Sequence, residues 1–165
     1  LFTYMFPGIL LAIPLYLMLF KAGLIDTRTG LVMTYLSLSL PFSIWMLKSF
    51  FESIPVELVE TALLDGCSYP ACLVKVVLPV SLPGIMAVMI FSFIIGWSEY
   101  LFANTLISSD TNRTIAIGLQ TLLGYYRTDY GLLTAACMVM MVPVLVFFIM
   151  VQKYFIKGLV AGSLK

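Results

Sequence analysis

Histidine is absent from these 165 residues, and charged side chains make up only 10% of them. The first absence removes the commonest metal ligand and the commonest general base. The second excludes an ordinary water-soluble domain, in which about a quarter of residues are charged. Cysteine is scarce too. Cys67, Cys72 and Cys137 are an odd number without a secretory spacing pattern, which reads as free thiols rather than a disulfide framework or a zinc site. The net charge of +1 offers no basic patch for nucleic acid. No Gly-x-x-x-x-Gly-Lys-Ser/Thr loop is present to cradle phosphates.

What is abundant is apolar surface. Hydrophobic residues make up 62% of the chain, and the mean hydropathy is +1.09. In water such a chain would expose large apolar patches and aggregate, so the bilayer is its natural solvent. Four stretches free of charge, 1–20, 29–47, 76–98 and 130–152, approach or exceed the ~20 residues that cross a ~30 Å hydrocarbon core. Unpaired backbone amides are not tolerated in lipid, so these runs are expected as helices near 4–21, 31–50, 83–104 and 132–152. The fold class is therefore an all-α integral membrane protein. Pro7, Pro14, Pro41, Pro83 and Pro143 fall in or beside these runs, where membrane helices accept them as kinks. The chain opens at Leu1 inside an apolar run with no preceding basic stretch, which reads as a fragment whose N-terminal part is missing rather than as a signal peptide.

Four spans place both termini on one side together with the connector 51–82. Connectors 22–30 and 105–131 lie on the other. The first side carries Lys48, Lys75, Lys153, Lys157 and Lys165; the second carries Lys21, Arg28, Arg113 and Arg127. The three tail lysines tip the balance toward cytoplasmic termini.

Connector 51–82 holds Glu52, Glu57, Glu60 and Asp65, half of the acidic residues. Ser53 is the expected N-cap, Pro55 suits a first turn, Glu57 suits the positive helix start, and Gly66 is a natural stop. This predicts a helix over 55–65, roughly 16 Å long. Helical spacing puts Glu57, Glu60, Thr61 and Asp65 on one face and Val56, Val59 and Leu63 on another. A second short helix is expected from a Ser68 cap to Leu78, ended by Pro79. Two readings of the acidic face stand: a solvated helix on the membrane surface, or a docking surface for a protein. Interfacial helices are usually lysine-rich on their polar face, so the acidic character favours docking.

This connector resembles the signature cytoplasmic loop of binding-protein-dependent ABC permeases. The family pattern is Glu-Ala-Ala, three residues, Gly, nine residues, then Ile-x-Leu-Pro. Here it stands as Glu60-Thr61-Ala62, Leu63-Leu64-Asp65, Gly66, nine residues, and Val76-Val77-Leu78-Pro79. Thr61 departs from Ala and Val76 from Ile. Trp97-Ser98-Glu99-Tyr100 resembles the family's Trp-Asn-Glu-Phe, and Asp129-Tyr130-Gly131 its entry to the last span. Residues 152–165 are similar to the tail of maltose-type sugar permeases.

The resemblance implies an ABC importer type I transmembrane fold with four of the usual six transmembrane helices. It implies a coupling helix carrying Glu57, Glu60, Thr61, Ala62, Asp65 and Gly66, with Leu78 and Pro79 closing the loop, seated on a cytoplasmic ATPase. The implied partners are a second, paralogous permease, two ATP-binding subunits, an extracytoplasmic solute-binding protein and the lipid bilayer, with no nucleic acid and no cofactor. The implied setting is a bacterial-type plasma membrane. The implied cargo is a sugar or oligosaccharide, with glycerol phosphate or another small polar solute as the alternative. The chain itself would be a transport subunit and not an enzyme. A structural or scaffolding membrane protein is the rival of another class.

Trp97, Glu99 and Tyr100 are candidates for the translocation path or external-loop contacts. A carboxylate at membrane depth points to function, yet the end of a span also suits interfacial exposure. Trp97, Tyr100, Tyr125, Tyr126 and Tyr130 suit an aromatic belt or stacking on sugar rings, the belt being the commoner role. Loop 105–131 is long enough to be functional. A short helix is expected over 114–123.

Overall fold

The computed structural model describes residues 7–124 and 129–162. Among them the secondary structure is entirely helical. In chain order the α-helices are α1 (Gly8–Lys21), α2 (Arg28–Glu52), α3 (Val56–Leu64), α4 (Tyr69–Cys72), α5 (Leu78–Val80), α6 (Leu82–Ser98), α7 (Leu101–Leu106), α8 (Ile115–Thr121) and α9 (Tyr130–Gly162). A π-helical turn, Leu73–Val77, joins α4 to α5, and a 3₁₀ turn, Asp110–Asn112, precedes α8.

Two helices are long and apolar enough to cross a membrane, α2 and the Tyr130–Lys153 part of α9. A third crossing arises if Tyr69–Val80 and Leu82–Ser98, which meet at a 70° bend, count as one broken span. Helix α1 has 14 residues, short of the ~20 that a crossing needs. The span expected over 83–104 is corrected: α6 stops at Ser98, and α7 begins as a separate helix at Leu101. The reason is Glu99, whose side chain caps α7 and so starts a new helix.

The chain forms two compact units, one from residues 1–41 and 92–146 and one from 42–91 and 147–165. In the first, Ala12 of α1, Leu31 of α2, Phe102, Ala103 and Leu106 of α7, and Ile107 and Ile117 make a buried cluster. Leu11, Leu15, Tyr16, Leu19 and Leu38 pack around it. Thr27 caps α2: its Oγ1 accepts from Gly30 N at 3.0 Å and donates to Leu24 O at 2.7 Å. Gly30 must lack a side chain, because a Cβ there would run into the Leu24 carbonyl. Asp129 caps α9 through its Oδ1, which accepts from Leu132 N at 3.0 Å. Thr114 caps α8, accepting from Ile117 N at 3.4 Å, so the helix expected at 114–123 is present and slightly shorter.

In the second unit Phe42 packs on Phe91 with ring centroids 4.0 Å apart. Phe50 lies over Gly84, where any Cβ would enter the ring. Lys48 and Glu52 form an exposed i,i+4 ion pair at 3.5 Å, a contact of small energetic weight.

Two further expectations in connector 51–82 are corrected. Ser53 is not the cap of α3; Pro55 occupies that position, and the Ser53 hydroxyl donates back to Phe50 O at 2.7 Å. Pro55 brings its own fixed φ of −57°, so the helix starts without a side-chain acceptor. Pro79 does not end the second helical stretch. It sits in the first turn of α5, and the break falls at Ser81. Pro79 has no N–H to donate and its ring crowds the carbonyl a turn earlier, and the π-helical register ahead of it, in which Leu78 N reaches Leu73 O, makes room for it.

Candidate functional site

The 55–81 segment is built from short-range rules. Leu58 N bonds to Pro55 O at 3.2 Å, and Glu57 lies in the first turn of α3, where the helix dipole favours an anion. The C-terminus is a complete Schellman motif. Gly66 N donates to Leu63 O at 3.0 Å and Cys67 N to Ala62 O at 3.1 Å. Gly66 adopts φ +86°, a conformation that glycine takes without a steric penalty. Nothing lies within 4 Å of where its Cβ would be, so backbone conformation, not crowding, selects glycine here.

Ala62 is the only α3 residue buried among the described ones, at 8% exposure, and Cys72 of α4 is buried at 2%. A larger side chain at 62 would push α3 away from what covers it. Around Ala62, Glu57, Glu60, Thr61, Asp65 and Gly66 are all exposed. Thr61 Oγ1 donates to Glu57 O at 2.7 Å, which satisfies the hydroxyl within the helix. Among the described residues the Glu57, Glu60 and Asp65 carboxylates make no ion pair. Leu64 is 88% exposed beside them. Val56 is exposed as well, so the expected apolar face reduces to the half-buried Val59 and Leu63. The face presented outward is therefore three free carboxylates with apolar side chains among them.

Leu78 and Pro79 lie 12 and 13 residues beyond Gly66, in the run that leads to the 70° bend. At the bend Ser81 is 2% exposed, and its Oγ has no hydrogen-bond partner among the described residues.

Trp97, Glu99 and Tyr100 belong to the other unit. Trp97 Nε1 donates to Met140 O of α9 at 3.0 Å, three residues before Pro143. Pro143 has no N–H, which removes the helical donor of the neighbouring Val139 carbonyl and not that of Met140. Glu99 receives two backbone donors, Phe102 N on Oε1 at 2.8 Å and Ala103 N on Oε2 at 2.9 Å. Both oxygens are thus committed to the start of α7. Tyr100 is exposed and lines an open cavity of about 370 Å³ with Gln120, Leu123 and Met140. Tyr130 is exposed, while Tyr125, Tyr126, Arg127 and Lys165 lie outside the described residues.

Sequence reasoning missed Asp26. Its Oδ1 accepts from Ser108 N at 3.0 Å, Ser109 N at 3.0 Å and Ser109 Oγ at 2.9 Å. The Ser109 and Ser108 amides hold its carboxyl below the usual carboxylate range, against a smaller opposing effect of desolvation. Asp26-Thr27 ahead of an apolar run was readable as a helix start; a partner 82 residues away was not.

Residues 1–160 match the family model for the binding-protein-dependent transport system inner membrane component. The chain is 34% identical over 163 residues to the inner membrane ABC transporter permease protein YcjP of Escherichia coli, covering 99% of this chain and 58% of that protein. It is 37% identical over 160 residues to the sulfoquinovosyl glycerol transport system permease protein SmoH of Agrobacterium fabrum, covering 97% and 56%. It is 32% identical over 162 residues to the trehalose/maltose transport system permease protein MalG of Thermococcus litoralis, covering 98% and 58%. The chain thus spans a little over half the length of these relatives. With nearly its whole length matched, the chain belongs to the binding-protein-dependent transport system inner membrane component family of ABC transporter permeases.

Proposed function

We propose that this chain is part of a permease subunit of a sugar or oligosaccharide importer, in which α3 is the coupling helix. In this reading a cytoplasmic ATPase holds α3 in a cleft, and its closing and opening on ATP moves the spans between inward- and outward-facing states. A second, paralogous permease completes the path, and a solute-binding protein delivers cargo from the other side. The four crossings in this reading are α1 taken together with the uncharged residues 1–7 ahead of it in sequence, α2, α6 with its bent approach, and α9, in a plasma membrane of bacterial type. Loop 53–81 and the C-terminus are then cytoplasmic, and ATP is hydrolysed by the partner.

The observation that carries this reading is the outward face of α3. It is a short helix, ended by Gly66 at φ +86°, with three carboxylates that make no ion pair among the described residues, in a chain whose charged residues are few. A scaffolding protein has no need of such a face. The names of SmoH and MalG support a carbohydrate or a glycosyl glycerol as cargo. Glycerol phosphate is the runner-up on chemistry alone.

The test is Gly66→Asp in the full transporter reconstituted in vesicles. A side chain at φ +86° costs roughly 1–2 kcal/mol and re-aims the loop. Transport is expected to fall more than tenfold while the protein stays in the membrane and the ATPase retains turnover. Transport at the parent rate sinks the assignment.

A further inference from the structure

We propose that Asp26 is a positioning residue that fastens connector 22–27 to residues 106–112, so that the two move as one rigid piece. The proposal rests on the transport reading only for the word "move"; the fastening itself does not depend on it.

Asp26 joins these stretches through its N–H, its carbonyl and one carboxylate oxygen. Its N–H donates to Leu106 O at 2.9 Å. One carboxylate oxygen takes the two amides and the hydroxyl of Ser108 and Ser109. Its carbonyl accepts from Asn112 Nδ2 at 2.7 Å. Beside it Arg28 Nη2 reaches Thr111 O at 3.4 Å. Hydrogen bonds to a charged acceptor are about twice as strong as neutral ones. Asp26 is the one non-glycine residue with positive φ among those described, at 55°. Such a backbone persists when its surroundings over-determine it, and aspartate tolerates it better than most residues.

The fastening has a rigid backing. Residues 101–107 supply Phe102, Ala103, Leu106 and Ile107 to the buried cluster that also takes Ala12 from α1 and Leu31 from α2. Glu99 caps the same segment from its other end. Two carboxylates, at 26 and 99, therefore hold the two ends of one buried helix and its following turn. Connectors of this kind are ordinarily the mobile parts of a protein. Here the connector between α1 and α2 and the one between α7 and α8 are tied by contacts 80 residues apart in sequence, which makes them one jaw rather than two loose loops.

The experiment uses the full transporter in vesicles, with amide exchange followed by mass spectrometry. Asp26→Gly removes the carboxylate and relieves the positive φ; Asp26→Asn keeps the backbone preference and one acceptor but drops the charge. In Asp26→Gly, exchange over 106–112 is expected to rise at least tenfold, with Asp26→Asn intermediate and peptides from α2 and α9 unchanged. Unchanged exchange over 106–112 in Asp26→Gly overturns the fastening. A second arm bridges Arg28→Cys to Thr111→Cys with a short cleavable bifunctional thiol reagent, in a background without the three native cysteines. Transport within twofold of the unbridged parent is expected. Arrest that is reversed by cleaving the bridge means that the two stretches separate in each cycle, and overturns the single moving piece. A parent that carries no solute under any condition counts against the transport reading and leaves the exchange result standing.

Discussion

Loop 53–81 and segment 99–113 use carboxylates in opposite ways. In α3, Glu57, Glu60 and Asp65 are exposed and free of ion pairs among the described residues. At α7, Glu99 gives each of its oxygens to a backbone amide, and Asp26 gathers three donors on one oxygen at the far end. The second pair builds the protein; the first triad is available to something outside it. Exposure alone does not separate the two cases, because Asp26 is itself close to solvent. The number of donors already satisfied by the chain does.

The largest expected effect follows from neutralising the free triad. Glu57→Gln, Glu60→Gln and Asp65→Asn together should leave the unfolding temperature within a degree or two, since surface substitutions away from special features are usually within about 0.5 kcal/mol. ATP-driven transport should fall at least tenfold, as measured by solute uptake against ATP turnover in vesicles. Full coupling in the triple variant would break the comparison by making the α3 face as internal in its use as the α7 end.

Glu99→Gln should do the reverse. Gln keeps one acceptor and loses the charge, so α7 is expected to lose roughly 1 kcal/mol of capping. Thermal unfolding in detergent and faster exchange of the Phe102 and Ala103 amides report this, with the apparent affinity for solute unchanged. A large change in solute affinity with unaltered α7 exchange would move Glu99 from a cap to a ligand.

The smallest effect is expected from acid. Asp26 has a folded-state pKa below its ordinary value, so it contributes stability that is present above the unfolded value, ~3.9, and lost as pH falls through the folded one. Ser108 and Ser109 amide resonances should therefore hold steady from pH 7 down to about 4 and shift only below that. A shift centred above pH 5 would show that the two amides do not stabilise the charged form.

Particular residues explain which parts were legible beforehand. Gly66 was readable because a Schellman motif spans six residues, and every donor and acceptor in it is sequence-local. Thr114 and Asp129 announce their helices for the same reason. Ser53 misled because serine is the better cap by propensity, yet Pro55, with φ already set, starts the helix two residues on. Pro79 misled because a π-helical turn ahead of it carries the helix on to the Ser81 break. Glu99 sat inside an apolar run that continued past it, and only the two amides it caps divide α6 from α7.

The sequence by itself determined the solvent, the helical class and the shape of loop 53–81. Hydropathy, proline, glycine and capping all act within a few residues, and a continuous apolar run of about 20 residues in lipid pairs its own backbone as a helix. Tertiary structure alone decided that Asp26 is tied to a distant stretch of the chain while Glu57, Glu60 and Asp65 are left exposed. The hydrogen bonds of Ser109 N to Asp26 and of Trp97 Nε1 to Met140 O reach across 83 and 43 residues. No local pattern encodes such pairings, because they exist only once distant helices have packed.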